Sequence, residues 1–107
     1  MCHYLILSTC PTIEVAESLA EMLVKENLAA CVNILPGARS VYEWKGKVEK
    51  EQECVLLIKS RADRLEVLEE RLLTEHPYEL PELIAVPIEG GSAAYLSWID
   101  TQLDRKE

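Results

Sequence analysis

The chain has 107 residues, the size of one domain, and its 49% hydrophobic content marks a folded chain rather than a disordered one. Its formal net charge of −8 repels phosphate groups, which disfavours nucleic acid and anionic membranes as partners and is compatible with attraction of cations or with solubility alone. The four cysteines (Cys2, Cys10, Cys31 and Cys54) include no Cys-x-x-Cys pair, and no apolar run nears the roughly 18 residues of a membrane span, so zinc-ribbon, thioredoxin and membrane-spanning readings fall away.

Residues 3–9 form an apolar run that predicts a buried strand. Cys10-Pro11-Thr12 ends it, and Thr12 is a helix cap. Over 13–26, Ala16, Leu19, Ala20 and Leu23 recur at helical spacing, with charged residues mostly off that stripe. Residues 28–35 predict a second strand. Pro36 cannot donate to a ladder and marks an edge, bulge or bend. Extended structure resumes over 40–44, Lys45-Gly46 turns the chain, and 48–60 returns as a long strand. Such a hairpin is long beside the usual five or six residues per strand, so its tip is expected to project. Residues 61–75 predict a second helix with Leu65, Leu68, Leu72 and Leu73 on its apolar stripe, stopped at His76-Pro77. Residues 83–88 predict a fourth strand, and 92–103 a terminal helix carrying Tyr95, Leu96, Ile99 and Leu103.

The order β-α-β-β-α-β plus a helix is that of an α+β, ferredoxin-like antiparallel sheet with helices on one face, in a single domain spanning 1–107. The second sheet face should then alternate with polar residues. It does not: 5–7, 54–58 and 84–86 are apolar on both parities. Subunit contact is the economical cover for that face, the alternative being the terminal helix alone.

No phosphate-binding glycine loop, His-Glu-x-x-His or nucleophile elbow occurs, so no enzyme is expected. His76, between Glu75 and Glu79, can bind a divalent ion or simply close a helix C-terminus. Cys2-His3 is a weaker metal candidate, because neighbours on a strand point to opposite faces. Cys31 and Cys54 read as small buried hydrophobes. Cys10 stands where a helix N-terminus can lower its pKa, which makes it the expected reactive thiol. Residues 49–53 read as a solvated hairpin arm. Tyr42, Trp44, Tyr78, Tyr95 and Trp98 suit interfaces and pocket walls, and Lys59 closes an otherwise apolar strand, where it can contact an anion or pair with a carboxylate. Residues 1–9 are too short for a secretory leader and the C-terminus has no lipidation signal, so a reducing, cytoplasmic location is expected.

Several blocks in order, namely residues 28–34, Pro36-Gly37, 40–47, Ile58-Lys59, His76-Pro-Tyr-Glu-Leu-Pro-Glu82 and 95–98, resemble the CutA divalent-cation-tolerance family nearly end to end. The resemblance implies a ferredoxin-like subunit, a tightly packed homotrimer similar to PII signalling proteins, and a cytoplasmic role in tolerance of copper and other divalent cations. It also implies copper contacts from a Cys late in the first strand and a His pair before Pro-Tyr. Those positions fall on Ser8 and on Glu75-His76, with Cys10 as a substitute thiol. The candidate metal set is therefore Ser8, Cys10, Glu75 and His76, for Cu²⁺ or another divalent cation. A second reading is a PII-like module that holds a small anionic ligand between subunits near Tyr42, Trp44, Lys59 and Trp98. An enzyme using Cys10 is a distant third.

Overall fold

A computed structural model describes residues 2–106. The elements are β1 (His3–Cys10), α1 (Ile13–Lys25), β2 (Cys31–Trp44), β3 (Lys47–Arg61), a 3₁₀ turn (Ala62–Arg64), α2 (Leu65–Glu75), β4 (Ile84–Ile88) and α3 (Ala93–Leu103). The four strands form one antiparallel sheet in the order β2-β3-β1-β4. This is the ferredoxin-like α+β arrangement with an added C-terminal helix.

Each boundary has a local cause. The Thr12 side chain accepts the Val15 amide and starts α1, and Ser92 does the same for α3 through the Tyr95 amide. Helix α1 is stopped by Asn27, whose φ of 57° leaves the helical region. Residues 28–30 are not strand as expected: the Leu28 and Ala29 amides cap the end of α1 at the Leu23 carbonyl, and β2 begins only at Cys31. Helix α2 starts later than expected because β3 runs on to Arg61 and a 3₁₀ turn follows.

The hairpin is longer than expected, since β2 is one element of 14 residues that runs through Pro36. It does so by a bulge. The pairing steps from Leu35↔Val55 to Ala38↔Glu53, so Pro36 and Gly37 together oppose Cys54. Gly37 takes φ 82°, which a side chain would strain, and Pro36 spends no donor on this edge strand.

The core lies between one sheet face and helices α1 and α2. Ile6, Ser8 and Cys10 of β1 and Cys54, Leu56 and Ile58 of β3 point into it, against Ala16, Leu19 and Leu23 of α1 and Leu68 and Leu72 of α2. Leu73 is 40% exposed and is not part of that stripe, because it lies one position round the helix from Leu72.

The second face is covered only at one end. Ile99 and Leu103 of α3 pack on Ala30, and His3 and Arg61 bond to Asp100. Beyond α3, Leu35, Ile84 and Val86 remain exposed, and Leu5, Leu7, Val55 and Leu57 are half-buried. The hairpin tip adds Val41, Tyr42, Trp44 and Val48 to the exposed apolar surface and stretches the chain to 44 × 28 × 22 Å.

Candidate functional site

Ser8, Cys10 and His76 meet where the C-terminal end of β1 passes the end of α2. The carbonyl of Thr9, between Ser8 and Cys10, takes a hydrogen bond from His76 Nε2 at 2.8 Å. That bond sets the tautomer, leaving Nδ1 as an acceptor, and Nδ1 receives the Tyr78 amide at 3.1 Å. Both ring nitrogens of His76 are thus engaged by backbone, and the residue is 7% exposed. The ring also packs against Tyr78, with centroids 4.8 Å apart. His76 therefore ties the segment after α2 to β1, which is a structural task its position in the sequence did not reveal.

The other members of the candidate metal set point elsewhere. Ser8 is fully buried and donates to the Glu82 carbonyl at 2.7 Å. Glu75 is exposed on α2 and faces Arg71 at 3.4 Å. Among the described residues, no three His, Cys, Asp or Glu side chains are grouped to hold a metal ion. The four residues thus do not fit a preformed divalent-cation site within the chain, which asks for several free lone pairs converging on one point.

Cys10 corrects the sequence expectation most clearly. It is fully buried, its Sγ donates to the Thr12 carbonyl, and its pKa is pushed up to about 11, first by burial and then by Cys54 and Glu53. An aliphatic environment outweighs the nearby helix N-terminus, so Cys10 is a poor nucleophile rather than a reactive thiol. An enzyme built on it has no support here.

Glu53 is the second correction. Read as part of a solvated arm, it is 7% exposed and accepts the Tyr78 hydroxyl at 2.6 Å. Burial and the Glu53 carboxylate together raise the Tyr78 pKa, so the phenol stays protonated and donating. The pair joins the middle of β3 to the loop after α2. Alternation of charge along the strand hides such a contact, because the partner lies 25 residues away.

The aromatic and cationic set divides in two. Tyr42 and Trp44 stand at the hairpin tip, 43% and 38% exposed. Trp98 stacks on Tyr95 along α3, with ring centroids 5.6 Å apart, and Lys59 lies near the base of β3 with its Nζ bonded to Asn33 Oδ1 and near the Cys31 sulfur. Tip and base are separated by eleven residue steps from Cys31 to Tyr42, about 35 Å of strand. A single copy of the chain does not bring these four residues together. Of the two roles open to Lys59, pairing with a carboxylate is not seen among the described residues, whereas His3 has such a partner in Asp100 at 2.8 Å. That bond engages Nε2 of His3, the histidine of the Cys2-His3 candidate, and Cys2 is exposed.

The chain matches the family described as CutA1 divalent ion tolerance protein over residues 4–102. It is 52% identical over 91 residues to the chloroplastic CutA protein of Arabidopsis thaliana, covering 85% of this chain and 50% of that protein. It is 47% identical to the divalent-cation tolerance protein CutA of Thermus thermophilus, covering 88% of this chain and 91% of that one. The chain thus spans about half the length of the plant relative and nearly all of the bacterial one. Among solved structures, CutA from Xylella fastidiosa superposes with a TM-score of 0.93 at 51% identity, covering 95% of this chain and 98% of that one. CutA1 from Oryza sativa superposes with a TM-score of 0.92 at 42% identity, over 95% and 94% of the two chains. The chain belongs to the CutA1 divalent ion tolerance family.

Proposed function

We propose that this member of the CutA1 family acts in the cytoplasm as a homotrimer in the tolerance of divalent cations, copper among them. Family membership supports the cation role. The observation that carries the assembly is the half-uncovered sheet face, where Ile84 is 51% and Val86 41% exposed beside Leu5, Leu7, Val55 and Leu57. Burying such area is favourable by about 25 cal/mol per Å², and the sheet's two edge strands, β2 and β4, can extend pairing into neighbouring copies. Light scattering should give three times the chain mass of 12.1 kDa, and Ile84→Glu with Val86→Glu should dissociate the assembly. A monomeric parent protein overturns this reading.

A cation at Ser8, Cys10, Glu75 and His76 has to take Nδ1 of His76 from the Tyr78 amide. Binding there is therefore coupled to rearrangement of the segment after α2, which reduces affinity. Calorimetric titration of the metal-free protein with Cu²⁺, Zn²⁺ and Ni²⁺, beside His76→Ala, tests this. Binding lost in the variant supports the site, and equal binding in both proteins removes His76 from the function.

A second reading rests on Lys59, a cation with no carboxylate partner among the described residues on a largely apolar face. If the hairpin tip of one subunit reaches the base of another, Tyr42 and Trp44 join Lys59 and Trp98 around a small anion. Lys59→Ala then weakens binding of that anion while leaving cation titrations unchanged.

A further inference from the structure

Cys10 and Cys54 are direct cross-strand partners on β1 and β3. Partners share a face, and both sulfurs lie in the core cluster, with Cys10 fully buried and Cys54 4% exposed. Both are free thiols. Nothing in the cation reading above uses them as a pair.

The ladder fixes which chemistry the pair suits. The Ala62 amide donates to the Cys2 carbonyl, so the residues opposite each other at that point are a hydrogen-bonded pair. Such pairs alternate along an antiparallel ladder, which makes Cys10 and Cys54 a hydrogen-bonded pair too. Their Cβ atoms then stand at the wide end of the cross-strand range, about 5.5 Å. A disulfide wants about 3.8 Å. An ion placed between the sulfurs relaxes that limit, since two bonds of roughly 2.3 Å in line span about 4.6 Å between sulfurs.

Coordination number and access narrow the guest. Among the described residues no third His, Cys, Asp or Glu completes a metal-holding group here. Nearby His76 has both nitrogens spent, and the Glu53 carboxylate is a hard oxygen donor that suits a soft ion poorly. Two soft sulfur donors without a third ligand select d¹⁰ ions that accept two-coordination, and disfavour Cu²⁺, Ni²⁺ and Zn²⁺. Access comes from the bulge. The bulge at Pro36 and Gly37 stands opposite Cys54, and a cavity of about 310 Å³ beside it is lined by Pro11, Thr12, Pro36, Gly37, Glu53 and Cys54 but not by the fully buried Cys10, which an ion reaches past Cys54.

We propose that Cys10 and Cys54 form a two-thiolate clamp for one soft, two-coordinate d¹⁰ cation, with Hg(II) the best match in charge and Cu(I) its monovalent counterpart. Each thiol releases its proton to solvent as its S–metal bond forms, and no electron is transferred. Two thiolates with Hg(II) are neutral, whereas with Cu(I) they leave one negative charge in an apolar core beside Glu53, which is costly. Burial holds the Cys10 thiol protonated, so an ion must displace its proton to bind.

The test uses the full chain with Cys2→Ser and Cys31→Ser, which leaves only the clamp thiols. Hg(II) is titrated in excess glutathione, and Ag(I) serves as the monovalent comparison. One Hg(II) per chain, two glutathione molecules freed per ion as each takes up one clamp-thiol proton, and an X-ray absorption spectrum with two sulfur neighbours are expected. Cys10→Ser in that background should lower retention against glutathione on the order of 10²-fold, the loss of a second tethered ligand. Two ions per chain, one sulfur neighbour, or unchanged retention in the variant overturns the proposal. The stoichiometry and spectrum come from the two-thiol protein itself, so a poorly folding variant does not blunt them. His76→Ala should leave this binding intact, which separates its failure from failure of the cation reading above.

Discussion

Replacing Arg61 by methionine should loosen α3 from the sheet and cost about 2–3 kcal/mol at neutral pH. The Arg61 side chain is 8% exposed, and its guanidinium donates to three carboxylates. Nε and Nη2 hold Asp63 at 2.7 and 2.9 Å, Nη1 reaches Asp100 at 3.1 Å, and Asp104 takes both Nη atoms at 3.1 and 2.7 Å. Breaking a fully buried pair costs roughly 3–5 kcal/mol. Here the carboxylates are 31%, 43% and 57% exposed and can be rehydrated, which reduces the penalty. Methionine keeps the packing of the stem, so the loss reports charge and hydrogen bonds. Urea unfolding at matched protein concentration should show a midpoint lower by roughly 1–2 M. The acid dependence gives the sharper check. Hydrogen bonds from Arg61 hold Asp63 and Asp104 below the usual carboxylate range, and His3, followed by Arg61, does the same for Asp100. Depressed folded-state values mean stabilisation that is complete above the unfolded carboxylate pKa, near 3.9, and is lost as pH falls through the folded ones. The gap between parent and variant should therefore be full at pH 7 and shrink below about pH 4. A gap that stays constant from pH 7 to pH 3 refutes the ionic account and leaves packing as the cause.

Three further outcomes follow from single contacts. In brief labelling with iodoacetamide at pH 7.5, mass spectrometry should find exposed Cys2 modified well before Cys10, whose pKa near 11 leaves almost no thiolate; equal rates overturn the burial of Cys10. Tyr78→Phe removes the hydroxyl donor bonded to nearly buried Glu53 and should cost about 1–3 kcal/mol in urea unfolding, and a neutral result means Glu53 finds water instead. Gly37→Ala meets no atom within 4 Å of the new methyl yet sits at φ 82°, so it should cost about 1 kcal/mol by backbone strain alone, while Gly90→Ala, free of both constraints, should be close to neutral.

The fold was legible because burial leaves a period in the chain. Helix α1 shows it at Ala16, Leu19 and Leu23, and the doubled apolar parity at 54–58 announced a sheet with two faces to cover. The errors at boundaries are places where backbone bonds override composition. Leu28 and Ala29 look like strand residues, but their amides are taken by the Leu23 carbonyl at the end of α1. Leu73 looks like core and is not, since apolar character alone does not say which side of a helix faces inward.

Site residues fare worse, and His76 makes the reason plain. Its type and its neighbour Glu75 suggest a ligand, yet a ligand is a free lone pair, and both nitrogens here are spent on the Thr9 carbonyl and the Tyr78 amide. Those partners are main-chain groups, one of them 67 residues away, and main-chain groups carry no signature in the sequence. Cys10 fails in the same way: what decides its reactivity is the apolar wall around it, and a helix start beside it cannot offset that wall. Cys54 shows the converse. Spacing gave no hint that it pairs with Cys10, since 44 residues separate them, and only the antiparallel register sets the two sulfurs on one face opposite a bulge. Chemistry at this end of the sheet is therefore governed by register and by which lone pairs the backbone has already claimed, and a substitution that moves either, such as one at Gly37, should alter thiol access before it alters the fold.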